Sequence, residues 1–71
     1  MAHVILLFAS NSGTMVATKA LRDSGVAARM IPTPAGTPSA SNLSLSIDRA
    51  AEAAALAALG HAKVSVASVV R

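Results

Sequence analysis

An α+β two-layer sandwich, with elements in the order β-α-β-β-α-β, is what three features of this 71-residue sequence predict. Four β-prone runs are separated by turn formers, two helical stretches each meet a glycine, and one strand alternates strictly between serine and apolar residues. A split β-α-β arrangement of this kind, ferredoxin-like in connectivity, places two helices on one face of a four-stranded, mainly antiparallel sheet. Residues 1–71 are expected to form a single small domain carrying a Pro/Gly/Ser-rich loop at 32–42.

Val4-Ile5-Leu6-Leu7-Phe8 is a continuous apolar run, the pattern of a central strand covered on both faces. Ser10-Asn11-Ser12-Gly13 stops it, and Asn11 or Ser12 can cap a helix from about Thr14 to Ser24. Met15, Ala17, Thr18 and Leu21 are assigned to its inner side, with Lys19, Arg22 and Asp23 outside. Gly25 stands where a left-handed C-terminal cap is wanted. Val26 to Ile31 reads as a second strand, closed by Pro32-Thr33-Pro34 because proline cannot donate to a ladder. The loop at 32–42 holds all three prolines, and loops of that length in small domains are often functional. Leu43-Ser44-Leu45-Ser46-Ile47 predicts a half-exposed strand with serines outward. Asp48 is a good N-cap for a second helix through Leu59, ended by Gly60, and Lys63 to Val70 predicts the last strand.

Composition excludes several functions. Without cysteine there is no zinc ribbon, iron–sulfur site, disulfide scaffold or thiol catalysis. Of the apolar residues 17 are alanine, so the core is thin, and a chain this short buries only about 60 % of its unfolded surface. Both points favour reliance on a partner. The formal charge is +3, yet Lys19, Arg22, Arg29, Arg49, Lys63 and Arg71 are scattered. Stacking aromatics are missing from the strands, so no nucleic-acid binding is expected. No apolar run approaches the ~20 residues of a membrane span and Met1-Ala2-His3 is no signal sequence, so no membrane insertion and a cytoplasmic location are expected.

Few residues offer chemistry. The strand-to-helix turn Ser10-Asn11-Ser12-Gly13 could cradle an anion at a helix N-terminus, as the flavin-mononucleotide loop of flavodoxins does, although Met15 replaces its second threonine. Plain helix capping accounts for the same residues. His3 and His61, with only Asp23, Asp48 and Glu52 for company, make a poor metal site, and no metal is expected. The serines have no oriented base beside them, so catalytic residues are not assigned and no cofactor is expected.

Phe8-Ala9-Ser10-Asn11-Ser12-Gly13-Thr14, Ala17-Thr18-Lys19-Ala20-Leu21, Ser24-Gly25-Val26 and Met30-Ile31-Pro32-Thr33-Pro34 together resemble a small bacterial family of selenium/sulfur carrier-like proteins. Its members run F-x-S-T-H, A-x-K-x-L, A-G-I, L-I-P-T-P-R and then S-S-x-C-G. The resemblance spans about residues 4 to 70. It implies a chalcogen-bearing cysteine in the loop, where this chain has Ser41 within Ser39-Ala40-Ser41-Asn42. The glycine after it is Asn42, the loop arginine is Ala35 and the histidine before the first helix is Ser12. A persulfide or selenide needs a thiolate, which serine cannot supply.

These readings converge on a non-catalytic accessory subunit docking on a larger enzyme. The sheet face, an edge strand or the 32–42 loop would make the contact, with Pro32, Pro34, Pro38, Ser44, Ser46 and Ser65 as partner-binding residues. One alternative is a regulatory domain binding a small ligand or anion through Ser10, Asn11, Ser12, Gly13 and Ser41. Another is a degenerate carrier-like protein assisting metalloenzyme maturation.

Overall fold

The computed structural model describes residues 2–36 and 42–70. Its elements are β1 (His3–Leu7), α1 (Asn11–Asp23), β2 (Arg29–Pro32), β3 (Leu43–Asp48), a 3-10 turn (Arg49–Ala51), α2 (Glu52–His61) and β4 (Ser68–Val70). The order is the β-α-β-β-α-β expected, and the strands form one sheet, β2-β3-β1-β4, with every neighbouring pair antiparallel. The register sets Leu6 opposite Leu45 and Val4 opposite Ile47. Because strand side chains alternate, those four share one face. With Phe8 they pack against Ala17 and Leu21 of α1 and Ala55 and Leu59 of α2 in one buried cluster. The fold is an α+β two-layer sandwich.

Both helices end alike. At the end of α1 the Val26 N–H donates to Leu21 O (2.8 Å) and the Gly25 N–H to Arg22 O (3.0 Å); at the end of α2 the Val64 N–H donates to Leu59 O (2.9 Å) and the Lys63 N–H to Gly60 O (3.1 Å). This is the Schellman pattern, whose pivot residue must be left-handed. Gly25 has φ +77°, as its position in the sequence predicts. In α2 the pivot is Lys63, with φ +58°, while the helix runs on through Gly60. Gly60 is therefore not the terminator. The apolar residue after each pivot, Val26 or Val64, packs on the core, and its burial selects where the chain turns.

Other boundaries move for similar reasons. Ser10, not Asn11 or Ser12, caps α1, its Oγ accepting the Gly13 N–H at 3.1 Å, so the helix begins three residues before Thr14. Asp48 does cap, but the element it caps is the 3-10 turn ahead of α2: Asp48 Oδ1 accepts the Ala50 N–H at 3.0 Å. β2 starts at Arg29 and not at Val26, because Val26 and Ala28 turn inward onto the core. β2 ends in Pro32, tolerated because β2 lies at the sheet edge. β4 is only Ser68–Val70; Val64 and Val66 pack against the core from an irregular segment.

The outward serine face also differs from expectation. Leu7 and Ser44, on the face away from the helices, are 2 % and 0 % exposed. Ser44 Oγ lies 2.7 Å from Thr33 Oγ1, a hydroxyl pair that satisfies the buried polar group. Alternation shows which residues share a face, but whether that face meets water is decided by the chain packed over it.

Candidate functional site

The Ser10–Gly13 turn is drawn into the structure by its own polar groups. Asn11 Oδ1 accepts the backbone N–H of Asn42 at 3.0 Å and of Leu43 at 3.3 Å. Thr14 Oγ1 lies 3.0 Å from the Leu43 carbonyl and 3.2 Å from that of Ser10, one hydroxyl proton serving both acceptors. The first turn of α1 is thereby tied to the head of β3. Ser10 and Asn11 satisfy backbone donors, Ser12 is exposed and Gly13 half-buried. A Cβ added to Gly13 would meet Phe8 Cβ and the Ser10 Oγ only at 3.6 Å, so the backbone there leaves no cradle that demands glycine.

Ser41 and Pro38 lie outside the described residues. Asn42, next to Ser41 in the chain, is bonded to Asn11, so the structure brings this end of the 32–42 segment to the Ser10–Gly13 turn. Pro32 is exposed, Pro34 and Ser46 are half-buried, and Ser65 is exposed in the segment before β4. Ser44 is fully buried and presents nothing to a partner. His3 opens β1 and His61 closes α2, both exposed. Among the described residues no three His, Asp or Glu side chains gather as metal ligands, and no helix is long and apolar enough to cross a membrane.

The surface that stands out lies between α1 and β2. Met15 is 62 % exposed and Met30 39 %, and together with Thr18, Lys19 and Arg22 they line a groove of about 270 Å³. A second hollow of about 290 Å³ shares Thr18 and Arg22 and continues along Gly25 to Ala28. The buried stripe of α1 is Thr14, Ala17 and Leu21, whereas Met15, Thr18, Lys19 and Arg22 form the neighbouring stripe. Met15 is thus on the outer side and not, as expected, on the inner one. The helical wheel carries the reason, since Met15 and Ala17 are about 200° apart and cannot share a face. Thr14 takes the inner position because its hydroxyl finds carbonyl acceptors there.

A protein-family model described as "Putative Se/S carrier protein-like" matches residues 3–71. The chain belongs to that family. No curated protein and no solved structure matches it. This family member contains no cysteine, so no thiolate of its own can bear sulfur or selenium. Asn11 and Thr14 are the side chains that bind its first helix to the end of the loop.

Proposed function

We propose that this protein is a cysteine-less family member acting as a non-catalytic accessory subunit that docks on a larger enzyme. The observation that carries this reading is the pair of exposed methionines beside an edge strand. Single exposed apolar side chains are ordinary, but Met15 and Met30 are grouped along one groove with a polar rim, the arrangement that partner surfaces use. Two further observations support it. The hydroxyl and amide groups of the Ser10–Gly13 turn are largely engaged in capping and tying the fold, which leaves little for substrate. The chain also lacks the one atom on which chalcogen chemistry could begin.

Of the expected contact surfaces, the edge strand β2 fits best, since Ser44 is buried. Binding of a small anion at Ser10, Asn11, Ser12, Gly13 and Ser41 would compete with the bonds that tie α1 to β3. The decisive experiment is the native size of the endogenous protein, measured by size exclusion of an extract and set beside the purified recombinant chain. Co-elution with a larger enzyme, lost in the Met15→Glu/Met30→Glu double variant, is the expected result. An endogenous protein that elutes as a free, fully stable monomer overturns the reading.

A further inference from the structure

Resting on that docking role, we infer that the α1–β2 groove receives an extended, acidic segment of the partner protein, lying along the outer edge of β2. Charge and geometry carry this together. Lys19 and Arg22 rim the groove on the helix side, and Arg29 opens the strand. Of the acidic groups nearby, Asp23 is engaged by Lys19 at 3.5 Å, and Asp48 shares with Arg29 the hollow on the other face of the sheet. Among the described residues neither Arg22 nor Arg29 has a carboxylate partner. An incoming acidic chain supplies what the rim lacks.

The register specifies the pattern of that chain. Met30 lies opposite Leu45 and so faces the helix layer, while Arg29 and Ile31, opposite Ser46 and Ser44, face the other way. A strand added at this edge must therefore alternate: apolar where it slides between Met15 and Met30, acidic where it passes Arg29. Arg22 and Lys19 stand on the helix side with Met15 and Met30 and add to the positive field that draws an acidic chain to this edge. Pro32 has no N–H, so the ladder offered is only about two or three bonds long. Affinity must then come mostly from side chains, which makes the charge requirement stringent. Pro32 also protects the edge from pairing with copies of this chain, since it interrupts the ladder such a pairing would need.

The test uses the full chain and a capped ten-residue peptide with Leu and Val on one face and Glu on the other, compared with the same peptide carrying Lys for Glu. Backbone amide shifts of the labelled protein report where each binds. Glu-peptide shifts confined to 15–22 and 26–31, an affinity weakening as salt rises, and no binding of the Lys-peptide are expected. Arg22→Glu/Arg29→Glu should weaken the Glu-peptide at least tenfold and make the Lys-peptide bind, a swap that a misfolded variant cannot produce. Equal binding of both peptides, binding of neither, shifts centred elsewhere, or an oligonucleotide of equal charge binding the groove as tightly each overturn the inference. Such a failure leaves the docking role to be judged separately by the native size of the endogenous protein.

Discussion

Replacing Lys63 by glycine should stabilise the protein, and the size of the gain comes from one dihedral angle. Lys63 sits at φ +58° at the pivot of the second Schellman motif, a conformation costing an L-residue about 1–2 kcal/mol relative to the right-handed region. Its side chain is exposed, so little is lost with it. Glycine relieves that strain but gives the unfolded chain more freedom, which returns about 0.4–1 kcal/mol. The net expectation is about 0.5–1 kcal/mol of added stability, or a Tm rise of about 2–8 °C for a domain of this size. Gly25→Ala is the mirror experiment: φ is +77° and no atom lies within 4 Å of the added methyl, so its cost, about 1 kcal/mol, is conformational and not steric. With no Trp or Tyr in the chain, far-ultraviolet circular dichroism during urea and thermal unfolding is the assay. A Lys63→Gly protein no more stable than the parent, with Gly25→Ala harmless, would refute the claim that left-handed pivots set both helix ends.

Ser10→Ala should lose about 1 kcal/mol through the missing cap on α1, readable in the same unfolding curves. Asn11→Ala removes the acceptor of the Asn42 amide, and hydrogen exchange at Asn42 should quicken while the amides of β1 keep their protection. Leu59→Ala removes one of the few bulky anchors of α2 and should cost about 2–5 kcal/mol, enough to unfold much of so small a domain at 37 °C, visible as collapsed amide dispersion. Mass spectrometry after polysulfide treatment should show no adduct on the native chain, whereas the Ser41→Cys thiolate should attack a polysulfide S–S bond, keep one sulfur as a persulfide and release the shortened polysulfide.

The order of elements was legible because each carries a local signal. The run from Val4 to Phe8, the Leu-Ser alternation after position 42 and the glycine at 25 depend on few distant residues. Less legible was anything requiring two segments at once. Met15 could not share the inner face with Ala17, as the helical wheel alone requires, but what holds the polar Thr14 on that face is the Leu43 carbonyl, 29 residues away in sequence and 3.0 Å away in space. Ser44 read as solvent-facing because alternation is blind to the Thr33 hydroxyl that meets it. The candidate site suffered most. The turn at Ser10 to Gly13 looked like a ligand loop from its residue types, yet its groups bind backbone brought in from β3. The groove of Met15 and Met30 was invisible because its two walls are separate elements, each ordinary alone.

By itself, then, the sequence determined the alternation of strands and helices, the left-handed turn at Gly25, the kinship with carrier-like proteins and the absence of any thiol, since all of these are properties of residues and their near neighbours. Tertiary structure alone decided which hydroxyls are buried, where α2 ends and that Met15 and Met30 line one groove. Those outcomes depend on packing between elements distant in sequence: a core that takes Val64 forces Lys63 into the left-handed region, and the Leu43 carbonyl lets Thr14 lie buried on the inner side of α1.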